Sequence, residues 1–136
     1  MSKSLTILLM DPPYESSNTA TALRLIEATL NQGHHVNVFA YEGATALTFK
    51  HQKGHPNPVK ETSIEEEKHP LTKDLIAGLF QLADKNNVNL KWVNCGFCVD
   101  ERGVGEWEKG PERGGPPQFA KMVNQSDKTL VIATTR

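Results

Sequence analysis

The segment Asn94-Cys95-Gly96-Phe97-Cys98 holds the only two cysteines of the chain, three positions apart. A thiol reacts as its thiolate, so the local field decides its reactivity. The apolar run before Cys95 reads as a strand, and the residues after it as a helical turn. At such a junction, free backbone N–H groups and the helix dipole stabilise a thiolate. Cys98 would lie one turn on, within disulfide reach. This predicts Cys95 as the nucleophile and Cys98 as a resolving or auxiliary thiol. Arg102, seven residues past Cys95, could lend positive charge to a thiolate or a sulfur adduct. The blander reading is a pair of small buried apolar residues, since free cysteine is often simply packed.

Other constellations admit other chemistry. Cys-Gly-Phe-Cys resembles the thioredoxin motif, but that fold needs further strands and a helix after it, and only 38 residues follow Cys98. His51 and His55 stand at i, i+4, with His69 nearby, and could join the cysteines in a zinc or copper site. Nothing ties that polar segment to the thiols, and a lone C-x-x-C supplies half a site. No resident metal and no cofactor are therefore expected. Asp11-Pro12-Pro13-Tyr14 after a strand is similar to the catalytic tetrapeptide of amino-methylating DNA methyltransferases. The chain has no glycine-rich methyl-donor loop, so the prolines read as a stiff turn. Glu42-Gly43 reads as a turn with glycine at positive φ. An acid there would raise a neighbouring thiol's pKa.

The elements that must position these groups follow from periodicity. Leu5 to Met10 is an unbroken apolar run, as in a strand buried on both faces. Ser16, Ser17 and Asn18 are candidate N-caps of a helix whose apolar face is Ala22, Leu23, Leu25, Ile26 and Leu30, with Gly33 as its stop. Val36 to Tyr41 is a second strand. Residues 48–70, with Glu65-Glu66-Glu67 and three prolines, read as a solvated excursion. Leu71 to Asn86 is a second helix and Val88 to Val93 a third strand, which ends at Asn94-Cys95. Residues 103–117 carry five glycines and three prolines, a loop composition. Phe119 to Gln125 is a short helix and Thr129 to Thr134 a last strand. Alternating strands and helices predict a three-layer α/β/α sandwich around a mainly parallel sheet of about four or five strands. In such sheets the site lies at the carboxyl ends of the strands, where Asp11, Tyr41 and Cys95 fall.

The 136 residues suit a single domain, residues 1–136, with one core. Fifteen basic against sixteen acidic residues leave a net charge of −1, so no electrostatic footprint for nucleic acid or an anionic membrane exists. The start, Met1-Ser2-Lys3-Ser4, lacks an apolar leader, and a cytoplasmic location is expected.

Taken together, these features resemble the DsrE/DsrF/TusD-like sulfur-relay family. The first strand closes with proline and Tyr14, and a helix start of small residues follows. Gly33-His34 precedes the second strand, and Phe39 and Glu42-Gly43 close it. A later strand ends in a cysteine, with Arg102-Gly103-Val104 at the family's spacing. The resemblance covers nearly the whole chain apart from residues 48–70 and the Gly/Pro segment. It implies that Cys95, not Cys98, is the sulfur acceptor. It further implies a homo-oligomer, commonly a trimer or hexamer, whose partner is a small sulfur-carrier protein or a low-molecular-weight sulfane donor. The sequence departs from the family in its second cysteine and in the acidic pair Asp100-Glu101.

The function expected is a sulfur carrier or sulfurtransferase that takes sulfane sulfur on Cys95 as a persulfide or thiosulfonate. The alternative is a non-enzymatic oligomeric protein that senses redox state or binds metal through Cys95 and Cys98. Phe49, Trp92 and Trp107 have no obvious place in so small a core and read as interface residues. The Gly/Pro segment is expected to lie over or beside Cys95, anchored by Trp107.

Overall fold

Why these residues make a sheet with two covered faces is visible strand by strand. The computed structural model describes residues 1–134. Strands β1 (Ser4–Leu9), β2 (His35–Ala40), β3 (Leu90–Cys95), β4 (Glu112–Gly114) and β5 (Lys128–Ile132) form one sheet in the order β4-β3-β2-β1-β5. Every neighbouring pair is parallel. Side chains alternate across it. Ile7 and Leu9, Val36 and Val38, and Trp92 enter one core, while Leu8, Phe39, Val93 and Cys95 enter the other.

Helices α1 (Asn18–Asn31) and α3 (Thr72–Lys85) cover the first face with Leu23, Ile26, Leu30, Ile76 and Leu79. Helix α5 (Pro116–Gln125) covers the second with Phe119 and Met122. The α/β sandwich expected from the alternation is thus present. Gly33 adopts φ 80° just past α1, the left-handed stop that glycine supplies without strain.

Five elements differ from the expectations. Residues Glu42–Thr48 form a 3₁₀ segment, and α2 (Ile64–Glu67) adds one turn to the otherwise exposed excursion. Its Ser63 and Glu66 make a reciprocal capping box. Helix α4 (Gly96–Arg102) runs for two turns, and Gly103 at φ 64° ends it. The Gly/Pro segment contains β4, paired with β3 at Val93↔Glu112, Asn94↔Arg113 and Cys95↔Gly114. Pro116 and Pro117 begin α5 instead of extending the loop, as proline's fixed φ suits the first helical turn. The turn at Glu42-Gly43 is also reversed in its logic. Glu42 takes the positive φ, 50°, and Gly43 is small because a Cβ there would come within 2.7 Å of Pro12.

Trp92 is not an interface residue. It is fully buried beneath α1 and α3, because strand alternation turns it into the larger core. Its Nε1 donates to Asn94 Oδ1 at 3.2 Å, and Asn94 Nδ2 donates to Thr48 Oγ1 at 2.9 Å. Phe49 and Trp107 are half-buried, and Trp107 Nε1 donates to the Val104 carbonyl. Among the described residues, no helix is long and apolar enough to cross a membrane.

Candidate functional site

The parallel sheet delivers its strand ends to one rim, and Cys95 stands on it as the last residue of β3 and the N-cap of α4. Its backbone is extended, at φ −62° and ψ 121°, and Gly96 begins the helix. Cys98 follows one turn later. Both thiols are free, and both residues are buried, at 3% and 8% exposure. They nonetheless border an open cleft of about 340 Å³, with Tyr41, Glu42, Arg102 and Pro116 among its walls. Phe97, between the cysteines, points outward at 80% exposure and forms part of the same rim.

The backbone donor that reaches this pair addresses Cys98. Glu42 N–H donates to Cys98 Sγ at 3.1 Å, at a turn where Glu42 adopts a left-handed backbone. Cys98 therefore gains an amide that its place inside α4 would not provide. Burial still pushes the Cys98 thiol above its ordinary pKa. The neighbouring Cys95 adds to the rise, while the Glu42 amide and the Arg102 charge oppose it. Arg102 itself is held by the cleft wall: Nη1 donates to the Cys98 carbonyl at 3.3 Å, and Glu101 lies 4.0 Å away.

The structure brings Cys95, Cys98 and Arg102 together in this cleft. Arg113, in the Gly/Pro segment, stands outside the cleft walls, on β4 opposite Asn94 and against Gly96. Its guanidinium grips Asp100 of α4 through two bonds, Nη1–Oδ1 at 3.0 Å and Nη2–Oδ2 at 2.7 Å. That segment does lie beside Cys95, through Gly114 in the ladder and Pro116 in the cleft wall. The part around Trp107 is tied elsewhere, since Lys50 N–H donates to the Glu106 carbonyl and Gly110 packs on Phe80.

The histidine segment is disposed differently. His51 pairs with Glu106, His69 with Glu67, and His55 contacts the Pro56 carbonyl. Among the described residues, no group of three or more His, Cys, Asp or Glu is arranged to hold a metal ion. Asp11 is turned inward, where its Oδ2 accepts from Ser16 and Asn18. It thus braces the turn at the end of β1. A second cleft of about 490 Å³ opens beside Asp11, Gly43 and Thr134 and shares Arg102 with the first. A larger groove of about 500 Å³ between α1 and α3 holds no thiol and lies against Leu23, Leu79 and Leu82.

Comparison with known proteins addresses the whole chain. The YchN protein of E. coli has the same fold, with a TM-score of 0.72 and 22% identity over 97% of this chain and 100% of its own. A conserved protein of unknown function from Bacteroides thetaiotaomicron matches at a TM-score of 0.55 and 13% identity, covering 96% of this chain and 95% of that one. No curated protein matches in sequence. The model of the DsrE/DsrF-like family, however, matches residues 3–132, the whole sheet with its helices, and the chain belongs to that family.

Proposed function

We propose that this protein, a member of a family of sulfur-relay proteins, accepts sulfane sulfur on Cys95 and passes it to a partner thiol. The observation that carries the reading is the placement of Cys95. It ends a strand, occupies the N-cap position of a helix and borders an open cleft on the rim where parallel sheets bind their ligands. The Cys95 thiolate attacks the sulfane sulfur of a donor. A new S–S bond forms, the donor's S–S bond breaks, and the leaving group departs with the electron pair. With thiosulfate the leaving group is sulfite; with tetrathionate it is thiosulfate, and a thiosulfonate adduct remains. A partner's thiolate then attacks the outer sulfur, and Cys95 leaves as thiolate, as in thiol–disulfide exchange. No external oxidant enters either step. Protein exposed to polysulfide or thiosulfate is expected to gain the mass of one sulfur atom per chain in intact mass spectrometry, and to lose it on reduction. A protein that stays unmodified by polysulfide, thiosulfate and tetrathionate alike refutes the reading. Direct Cys95–Cys98 disulfide formation without sulfur gain would favour a redox sensor instead.

The chain is further proposed to act in the cytoplasm as a homo-oligomer, with a small sulfur-carrier protein docking over the cleft. Phe97 supports a docking site, because a large exposed aromatic beside a nucleophile marks contact surface. Light scattering is expected to give a multiple of the 15.1 kDa chain mass. A monomer throughout the micromolar range would remove the assembly.

A further inference from the structure

Arg113 lies on β4 opposite Asn94, one ladder step from the Cys95↔Gly114 pair. Its guanidinium rests against Gly96: a Cβ at that position would stand 2.9 Å from Cζ, Nε and Nη2. Gly96 directly follows Cys95, so a fixed cation touches the residue that joins the nucleophile to α4. Asp100, one helical turn further along α4, holds both arms of the guanidinium. A planar fork bound this way has little freedom to swing away.

We propose that Arg113, steadied by Asp100 and admitted by the missing side chain of Gly96, is a positioning residue that biases Cys95 toward its thiolate. The proposal rests on the reading of Cys95 as the nucleophile. Arg102 serves the other thiol. It bonds the Cys98 carbonyl, and its charge acts on Cys98. The electrostatics divide the same way, since Asp100 first, and the Cys95 thiolate in addition, hold the Arg113 proton above the ordinary guanidinium range. The other charged or titratable groups at the cleft are Glu101 and Cys98 on α4, and Tyr41 and Glu42 at the end of β2. The two acids disfavour a thiolate, so a dedicated cation on the opposite side of the turn has work to do. From α5, Phe119 and Met122 pack in the same core as Cys95, Pro116 lines the cleft, and Gln118 lies beside Gly114.

The test is the pH dependence of iodoacetamide alkylation at Cys95, measured in a Cys98→Ser background. Arg113→Gln is expected to raise the alkylation midpoint, by an amount that the solvent exposure of the guanidinium keeps modest. The alkylation rate below the midpoint should fall about three-fold. Arg113→Lys should recover most of the shift, and high salt should shrink it. Gly96→Ala, which displaces the guanidinium without removing its charge from the chain, should shift the midpoint in the same direction. An unchanged midpoint in Arg113→Gln overturns the proposal. So does an Arg113→Lys variant that behaves like Arg113→Gln, because packing and not charge would then be at work. Alkylation needs no sulfur donor, so this outcome is separable from sulfur loading. Loss of loading with a normal Arg113 effect would remove the sulfur-carrier reading and leave the charge setting intact.

Discussion

Cys95→Ser is expected to load no sulfur, whereas Cys98→Ser loads as the parent does and keeps its adduct longer. The asymmetry follows from where each thiol sits. Cys95 occupies the N-cap position of α4, where the first N–H groups of the helix have no partner within it, although its side chain makes no capping hydrogen bond in the resting structure. Cys98 is one turn inside, and burial holds it in its thiol form. Its route to reaction is attack on the inner sulfur of a Cys95 persulfide. Cys98 loses its proton, a Cys95–Cys98 bond forms, and hydrosulfide leaves with the electron pair. Because the Cys98 pKa is raised, its thiolate fraction is small near neutrality and grows as pH climbs through and beyond the ordinary thiol range. The parent adduct should therefore shorten in lifetime with rising pH, and the Cys98→Ser adduct should not follow that trend. Mass spectrometry of both variants after equal exposure to donor, repeated across pH, measures all of this. Loading of Cys95→Ser at the parent level, with none in Cys98→Ser, would mean that the nucleophile is the inner cysteine. Equal loading of both would mean that neither thiol is specially activated.

The second large effect concerns stability. Trp92→Ala should destabilise the fold by about 3–5 kcal/mol, the usual cost of emptying a buried tryptophan site. The side chain is fully buried among β1, β2, α1 and α3, and its indole N–H holds Asn94 Oδ1. Asn94 is itself buried and adjoins Cys95, so losing that donor leaves part of its amide unpartnered in the core. Against a total of about 5–15 kcal/mol, such a loss is a large fraction. The expected readout is a lower urea midpoint and a fall in Tm of about 10–20 °C. Trp92→Phe, which keeps much of the volume but loses the hydrogen bond and part of the ring packing, should cost less, about 2–3 kcal/mol. A loss below about 1 kcal/mol in Trp92→Ala would show that the site collapses freely.

Legibility varied with the length and period of each element. The apolar runs of β1 and β2, and the 3.6-residue faces of α1 and α3, stood out because burial repeats over several turns or residues. Trp92 shows the same rule in reverse. Its burial comes from alternation along β3, and its size alone suggested a surface role. Strand β4 is three residues long and glycine-bearing, and nothing in Glu112-Arg113-Gly114 announces a ladder. Only its tertiary pairing with β3 makes it a strand. Gly114 is needed there because a Cβ would come within 2.5 Å of Val93 Cγ1. Arg113 was invisible as a site residue on that account. Pro116-Pro117 carried a usable signal, since paired prolines followed by an apolar face can open a helix as readily as break one. Cys95, Cys98 and Arg102 were legible because chemistry-bearing residues at helical spacing beyond a strand end need few long-range facts to be placed together. The amide from Glu42 was not, because it reaches Cys98 across 56 positions from the end of a different strand.

The Ser4–Asp127 bond has a consequence for the order of the chain as a polymer. Ser4 N–H donates to Asp127 Oδ2 at 2.8 Å across 123 positions, where β1 meets β5. On the other side of β1, Lys3 N–H donates to His34 Nδ1 across only 31 positions. Closing a flexible loop costs about (3/2)RT ln n, which is about 3 kcal/mol for the shorter span and about 4 kcal/mol for the longer. One strand thus carries a comparatively local closure on one edge and a chain-spanning closure on the other. The entropic difference is only about 1 kcal/mol, because loop cost grows with the logarithm of length. A sheet can therefore recruit its fifth strand from the far end of the chain at little extra cost, and β1 is the strand through which local and global order are joined.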